Sequence, residues 1–270
     1  MPIQRAHDKF YTCAATARLC TNALLARELP SGAIFLEPAA GAGAFLTLLP
    51  AAHRIGIDIA PAHPEIRCEN FLTFDLPSTV AGRHVVVVGN PPFGRNASLA
   101  CKFFNKAAGL SDVIAFIVPK TFQKAHTVRR LDKRFRLVDE LALPDSSFMF
   151  EGKQWHVPCV FQIWEKCGVP RDDVAGPLSH PDFDFVTREF ADFAVRRVGR
   201  SAGAVFENFS AFATRSHHFL KAARAPAVMN RLRTIDWSAL RGMTAGVPCV
   251  GKEELIRHYS AALAHRVGAD

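Results

Sequence analysis

Residues 84–95 read HVVVVGNPPFGR. Four consecutive valines are apolar whichever way each side chain points, which is typical of a strand buried on both faces of a parallel sheet. The strand must end before the two prolines, because Pro91 and Pro92 lack the N–H group that a sheet ladder requires. It therefore ends in an amide side chain, a rigid diproline and an aromatic ring, from Asn90 to Phe93. Strand formation alone does not require that combination of residues.

Similar apolar runs along the first part of the chain predict a larger sheet around this strand. Further strands are expected at residues 33–37, 54–59, 69–76, 112–119 and 157–166. Apolar residues at helical spacing occur at 14–28, from Phe45 onward and at 97–110. Strands that alternate with helices predict an α/β fold, with a doubly wound, mostly parallel Rossmann-like sheet covered on both faces. The segment 143–155 is expected to be a loop.

The chain has 270 residues, 49% of them hydrophobic, which is enough for one large domain with a smaller appendage. Turn-forming and acidic residues at 168–181 predict a linker. We therefore expect a main domain at residues 1–166 and a small C-terminal extension at 167–270. An amphipathic helix is expected near the end of the extension, at residues 252–266.

The cysteine pattern, residues 1–10 and the length of the apolar runs together indicate the cellular compartment. The seven cysteines form no C-x-x-C pair and the histidines are not clustered at ligand spacing, so neither a disulfide framework nor a metal site is expected. Residues 1–10 lack the apolar core of a secretion signal, and every apolar run is too short to span a bilayer. We expect a cytoplasmic protein with no membrane partner. The formal net charge of +8 is compatible with a nucleic-acid partner without establishing one.

A loop rich in small residues, EPAAGAGAF at 37–45, follows the first predicted strand. Glycines let a backbone approach a ligand closely, and a following helix would offer free N–H groups. The G-x-G-x-x-G pattern of dinucleotide-binding folds is incomplete, because Leu46 occupies the third glycine position. A tight strand-to-helix turn is the alternative. Asp58 at the end of the next strand favours a cofactor that contains adenosine, since an acidic side chain there can bind ribose hydroxyls. These residues leave open a nicotinamide dinucleotide or S-adenosylmethionine.

Four segments together resemble one enzyme class. EPAAGAGAF, GIDI, NFLTFDL and GNPPFG occur in the order and spacing of class I S-adenosylmethionine-dependent methyltransferases, and more narrowly look like the amino-methyltransferases that modify adenine N6. The upstream DKFYT, residues 8–12, resembles an additional cofactor-side motif of adenine-specific DNA methyltransferases. The resemblance covers roughly residues 8–165.

The resemblance implies S-adenosylmethionine as the cofactor. The residues implied to contact it are Tyr11, Thr12, Glu37, Pro38, Ala39, Gly41, Gly43, Asp58, Ile59, Asp75, Leu76 and Asn90. Thr12 would contact the methionine carboxylate, Asp58 would hold the ribose, Ile59 would pack on the adenine ring, and Asp75 would accept from the adenine amino group. In the alternative interpretation, Glu37 and Asp75 each cap a turn, and Thr12 caps the helix that follows it.

The resemblance also explains the stretch at 84–95. The implied catalytic residues are Asn90, Pro91, Pro92 and Phe93. An exocyclic amino group is a poor nucleophile because its lone pair is delocalised into the ring. The Asn90 side-chain oxygen and the Pro91 carbonyl, which Pro92 holds rigidly, would accept both N–H bonds and favour a pyramidal nitrogen. Phe93 would stack on the target base. A diproline turn with an incidental phenylalanine is the alternative.

The substrate is less constrained than the chemistry. We expect nucleic acid, with adenine N6 in DNA favoured over adenine N6 or guanine N2 in RNA. A protein-glutamine methyltransferase is less favoured, because those enzymes carry a helical domain before the glycine loop. A methyltransferase-like binding protein without activity is also less favoured, because both motifs are intact. Basic clusters at 120–136 and 188–241 could contact phosphates, or could be solvated surfaces.

Overall fold

The computed structural model describes residues 11–150, 152–172, 176–242 and 247–264. The chain divides into two compact units, Met1–Val174 and Ala175–Asp270. Each unit has a hydrophobic core of its own. None of the helices in the described ranges is long and apolar enough to cross a bilayer.

A seven-stranded sheet forms the centre of the first unit. Its strands are β2 (Ile34–Pro38), β3 (Arg54–Asp58), β4 (Ile66–Cys68), β5 (Val85–Gly89), β6 (Val113–Pro119), β7 (Phe135–Ala142) and β10 (Cys159–Lys166). Their order is β4-β3-β2-β5-β6-β10-β7, parallel from β4 to β6, with β10 antiparallel to both β6 and β7. The predicted α/β class and mostly parallel sheet are confirmed.

Helices cover both faces of this sheet. The helices of the unit are α1 (Ala14–Leu25), α2 (Ser98–Ala108) and the short α3 (Ala125–Val128). Along β5, Val85 and Val87 pack in the same core as α2, whereas Val86 and Val88 pack in the same core as α1. Because successive side chains of a strand point to opposite faces, β5 is buried on both sides, as its valine run predicts.

The strand order reverses beside β2, which pairs with β3 on one side and with β5 on the other. In open parallel sheets, such a reversal leaves a crevice at the carboxyl ends of the strands, where ligands bind. The glycine loop follows β2 and the Asn90–Phe93 segment follows β5. The topology therefore brings the two motifs to the same crevice, although 45 residues or more separate them in sequence.

Two expected elements of the first unit are wrong. The helix expected from Phe45 is only a 3-10 turn, Leu46–Leu48, because Pro50 cannot continue a helix. The strand expected at 69–76 is a 3-10 turn, Phe71–Thr73, preceded by the short strand β4. The side chain of Asn70 accepts a hydrogen bond from the Leu72 N–H at 3.0 Å, and this cap starts the turn.

The expected loop at 143–155 instead contains a hairpin. Strands β8 (Phe148–Phe150) and β9 (Lys153–Trp155) pair with each other, and β8 also pairs with β1 (Tyr11–Thr12). Strand β7 at the sheet edge was also not expected from the sequence. Most of its residues are exposed and several are charged, so its pattern lacks an apolar face.

The second unit contains a four-stranded antiparallel sheet and helices. The strands are β11 (Asp184–Phe185), β12 (Phe193–Arg196), β13 (Val205–Phe206) and β14 (His217–Lys221); the helices are α4 (Ala225–Thr234), α5 (Ser238–Gly242) and α6 (Lys252–Ala264). The sheet order is β11-β14-β12-β13. Apolar residues of α4 and α6 pack with this sheet in one core, and α6 occupies most of the helix expected at 252–266.

Candidate active site

The glycine loop folds as a tight series of turns after β2. Ala39, Gly41 and Gly43 have positive φ angles of 56°, 53° and 79°, a region in which glycine is favoured because it lacks a Cβ atom. The Gly43 N–H donates to the Ala40 carbonyl at 2.7 Å, and the Ala40 N–H donates to the Ile57 carbonyl at 3.0 Å. The loop is therefore closed on itself and joined to β3.

Asp58 attaches the glycine loop to the end of β3. One carboxylate oxygen, Oδ2, accepts from the Gly41 N–H at 2.8 Å, and the other, Oδ1, accepts from the Ala60 N–H at 2.7 Å. A carboxylate oxygen has two lone pairs, so both oxygens keep capacity for a further donor such as a ribose hydroxyl. Ile59, the next residue, is 74% exposed beside this carboxylate. An acid and an exposed apolar side chain therefore lie next to each other here, and their roles toward a cofactor stay predictions.

Glu37 is buried beneath the loop, with 2% of its surface exposed. Its Oε2 accepts from the Leu46 N–H at 2.6 Å, and the Phe45 N–H also donates to the carboxyl group. Burial, opposed by these two bonds, raises the pKa of Glu37 to about 8. Glu37 therefore accepts from the two N–H groups at the end of the glycine loop, where the 3-10 turn begins. These bonds hold the loop from its buried side.

Gly89, the last residue of strand β5, lies against the side chain of Glu37. Gly89 has φ +152°, and a Cβ atom built on it would lie 3.2 Å from Cγ of Glu37 and 3.6 Å from the Pro38 carbonyl oxygen. Residues with a side chain rarely adopt this φ angle, and a Cβ atom here would press on the Glu37 side chain. Because Gly89 has no side chain, the end of β5 lies close to the start of the glycine loop, directly before Asn90.

The segment after Gly89 is held by its prolines and by α2. Asn90 is half-buried and Pro91 is buried. The Phe93 carbonyl accepts from the N–H groups of Leu99 and Ala100, at 3.1 and 3.2 Å, in the first turn of α2. The Phe93 ring is partly buried against the cores on both faces of the sheet. Its remaining surface is available to a ligand.

Three of the four residues after Phe93 have positive φ angles. Gly94, Asn96 and Ala97 have φ of 65°, 53° and 56°. A Cβ atom on Gly94 would lie 2.8 Å from Cβ of Leu99, so the position requires glycine. Ala97 is buried in a left-handed conformation that costs an alanine roughly 1–3 kcal/mol. The surrounding packing holds a strained backbone next to the proposed catalytic segment, and such strain is common at functional sites.

Tyr11 and Thr12 form β1, and Tyr11 lies beside the glycine loop. Strand β1 pairs with β8, with Tyr11 opposite Met149 and Thr12 opposite Phe148. A Cβ atom on Gly41 would lie 3.3 Å from Cε1 of Tyr11, so the half-exposed tyrosine ring lies against the loop. Thr12 does not cap α1: the cap position is Cys13, without a side-chain hydrogen bond. The capping alternative for Thr12 is therefore wrong.

Asp75 and Leu76 follow the 3-10 turn after β4. The Asp75 side chain is 91% exposed, and its Oδ1 lies 3.4 Å from Nζ of Lys106 on α2. Leu76 is partly buried against the core on the α2 face. Asp75 therefore offers a carboxylate to solvent, and its assignment to a cofactor amino group stays a prediction.

Sequence reasoning missed two parts of this region. The ring of His63 lies 3.5 Å from the Cβ position of Gly43, and the Ala62 N–H donates to the Gly41 carbonyl at 2.9 Å, so residues 62–63 cover one side of the loop. The hairpin β8–β9 is the second part. The turn-forming Gly152, with φ +76°, between the apolar run 148–150 and Trp155 is a signal that could have predicted it.

No protein-family model matches the chain, and no curated protein matches it in sequence. Among solved structures, a putative RNA methyltransferase from Pyrococcus horikoshii is 16% identical, with a TM-score of 0.47 over 62% of this chain and 90% of that one. The E. cuniculi Mtq2–Trm112 complex, responsible for the methylation of the translation termination factor eRF1, is 15% identical, with a TM-score of 0.40 over 59% of this chain and 99% of that one.

A third solved structure, the 23S rRNA methyltransferase ErmE, is 13% identical, with a TM-score of 0.40 over 93% of this chain and 98% of that one. Identities below 20% with TM-scores below 0.5 define neither the cofactor nor the substrate of this chain.

Proposed function

We propose that this protein transfers a methyl group from S-adenosylmethionine to the exocyclic N6 amino group of adenine in DNA. The observation that carries the proposal is the meeting of two loops at the strand-order reversal. The glycine loop and the Asn90–Phe93 segment follow the paired strands β2 and β5, and they start close together: a Cβ atom built on Gly89 would lie 3.2 Å from Cγ of Glu37. A cofactor loop and an amine-binding loop that start side by side are the minimum that direct methyl transfer to an amino nitrogen requires.

The residues around the glycine loop fit an adenosine-containing cofactor. Gly41 and Gly43 leave backbone uncovered by side chains, Asp58 offers carboxylate oxygens, and Ile59 offers an exposed apolar surface for a base. Tyr11 borders the same loop. The cofactor would supply an electrophilic methyl group on a sulfonium. The cofactor would leave as S-adenosylhomocysteine and the methylated amino group would release one proton to water, while residues of this chain would supply positioning and hydrogen-bond acceptors.

The Asn90–Phe93 segment would prepare the nucleophile. The Asn90 side-chain oxygen and the Pro91 carbonyl accept the two N–H bonds of the adenine amino group, which draws the nitrogen lone pair out of conjugation with the ring. Two prolines and the hydrogen bonds from Leu99 and Ala100 to the Phe93 carbonyl hold these acceptors in place before the substrate arrives. Acceptors that are fixed in advance need no reorganisation when positive charge develops on the amine, so they lower the barrier to transfer.

Phe93 would bind the target base by stacking. A base in a duplex must be flipped out to reach a buried loop, at a cost of a few kcal/mol. Stacking on an aromatic ring returns about 1–3 kcal/mol of that cost. The same acceptor pair would serve an adenine in RNA or the N2 amino group of guanine, which remain the alternative substrates.

The test is methyl transfer from labelled S-adenosylmethionine to duplex DNA, single-stranded DNA and RNA in parallel, followed by nucleoside analysis. N6-methyladenine in DNA is the expected product. Label confined to RNA, or to N2-methylguanine, would contradict the proposed substrate and leave the amino-methyltransferase chemistry in place. Absence of label in all three nucleic acids, with the cofactor bound, would contradict the proposal.

A further inference from the structure

A groove of about 640 Å³ crosses the second unit, far in sequence from the proposed active-site motifs. It is bordered by the segment 185–189, by residues 217–219 of strand β14 and by the first residue of α6. Its cationic lining side chains are Arg188, Arg197 and Lys252, and Glu189 is the one carboxylate that lines it among the residues described in this unit. The groove therefore carries an excess of positive charge and fits an anionic ligand.

The floor of the groove contains two histidines that contribute no fixed charge. His218 is buried, and its Nε2 lies 2.9 Å from the Val250 carbonyl oxygen. Burial is the largest cause that lowers the pKa of His218, to about 4, and the positive charges of Arg197 and Lys252 act in the same direction. The neighbouring His217 lies 3.2 Å from Nη1 of Arg196. The imidazoles are thus occupied by internal contacts, and the exposed Arg197 and Lys252 supply the charge that faces a ligand.

Aromatic side chains accompany these cations. Nζ of Lys252 lies 4.7 Å from the centre of the Phe185 ring, within cation–π distance. Phe190 is 68% exposed at the end of the 3-10 turn Arg188–Phe190. A second depression shares Arg188 and Glu189 with the groove and is lined further by Ala191, Glu207 and Phe209. The groove and the depression therefore form one continuous track, with Arg197 and Lys252 in the groove and the exposed Phe190 ring between two lining residues, Glu189 and Ala191.

We infer that this groove binds a phosphodiester strand, with Arg197 and Lys252 on phosphates and Phe190 stacked on a base. A charged track with an adjacent aromatic ring is the arrangement that holds single-stranded nucleic acid without reading its sequence. The inference rests on the proposed function in one respect, since a methyltransferase acting on nucleic acid needs surface that holds the strand outside the reacting nucleotide. It assigns that role to residues of the second unit.

The experiment measures binding of fluorescent 20-nucleotide DNA and RNA strands, and of duplex DNA, to the full-length chain without cofactor over a range of salt concentrations. Each phosphate contact contributes about 0.7 to the slope of log affinity against log salt for single strands. Arg197→Gln with Lys252→Gln should weaken binding about tenfold at 0.1 M salt and reduce the slope by about 1.4. The matched control is Lys221→Gln with Arg257→Gln, which removes the same charge from exposed positions outside the groove.

A ring variant separates stacking from charge. Phe190→Ala should weaken binding about fivefold or more without changing the salt slope. Leu178→Ala, another exposed apolar residue of the second unit, is its control and should have no effect. An unchanged slope in the Arg197/Lys252 variant, or an equal change in the Lys221/Arg257 control, would overturn the inference, provided that thermal unfolding of the variants matches the parent chain.

The DNA and RNA arms identify the source of the strand, and stronger binding of either supports the inference. Because binding is measured without cofactor, the two proposals fail separately. Groove-dependent binding without methyl transfer would overturn the proposed function and keep the groove. Methyl transfer with a salt slope that does not depend on Arg197 and Lys252 would do the reverse.

Discussion

The two proposed binding regions are built from different materials. The crevice of the first unit is made of backbone: positive φ angles, a glycine packed against Glu37, two prolines, and carboxylates whose partners are backbone N–H groups. The groove of the second unit is made of exposed cationic side chains over a folded sheet. A backbone site holds its groups in position to within fractions of an ångström, whereas a surface of long side chains adapts to many ligand shapes. We associate the first with chemistry and the second with holding a strand.

The two regions also differ in the titratable group that each one buries in its neutral form. In the first unit, burial raises the pKa of Glu37 to about 8; in the second, burial lowers the pKa of His218 to about 4. Folding therefore opposes loss of a proton from the acid and gain of a proton by the base. The two groups make stability depend on pH in opposite directions, over different ranges.

Glu37 should give the larger measurable effect. Between its ordinary pKa and about 8, the folded state holds a proton that the unfolded state has lost, so stability falls as pH rises, by up to about 1.4 kcal/mol per pH unit. Glu37→Gln, which stays neutral, should remove this slope between pH 6.5 and 8. The measurement is chemical denaturation of both proteins across that range.

Glu28→Gln, at an exposed carboxylate in the same unit, is the control and should leave the slope unchanged. His218 stabilises the folded state fully above about pH 6.5, and this stabilisation is lost as pH falls toward 4. Its effect on the free energy of unfolding is therefore constant between pH 6.5 and 8. Parallel slopes for the parent chain and Glu37→Gln would show that Glu37 is ionised in the folded protein.

Replacing Asp58 should give a smaller effect, confined to the affinity for the cofactor. Asp58→Ala removes the acceptor for the Gly41 and Ala60 N–H groups and the proposed ribose ligand together. Affinity for S-adenosylmethionine should fall about tenfold, which corresponds to about 1.4 kcal/mol, while the protein stays folded. Calorimetry with the cofactor, beside a circular dichroism spectrum, measures both. Unaltered affinity would remove Asp58 from the cofactor site.

Strongly patterned elements of the fold were predictable from the sequence. Strand β5 follows from its four valines, and α1 and α2 follow from apolar residues at helical spacing. Elements set by tertiary contacts were not predictable. Pro50 limits the helix expected from Phe45 to a 3-10 turn, and the N–H groups of Phe45 and Leu46 at the start of this turn donate to a buried carboxyl group from β2. The edge strand β7 has no apolar face, since little covers it.

The candidate site was predictable as a set of motifs and less so as a geometry. The sequence places Glu37 before the glycine loop without indicating that its carboxyl group points inward. It places Asp58 at a strand end without indicating that backbone N–H groups already occupy both oxygens. His63 and the β8–β9 hairpin carry no motif, and only the three-dimensional fold brings them beside Gly43 and Tyr11.

The central claim is that Asn90 acts on the substrate amine, and one comparison tests it most directly. Asn90→Ala and the parent chain are assayed for methyl transfer to nucleic acid and, in the same preparations, for S-adenosylmethionine binding. Removing one fixed polar group from a reaction centre costs about 10²–10³ in rate, so transfer should fall at least that far while cofactor binding stays within about twofold. Unchanged transfer, or loss of cofactor binding together with loss of transfer, would contradict the assignment.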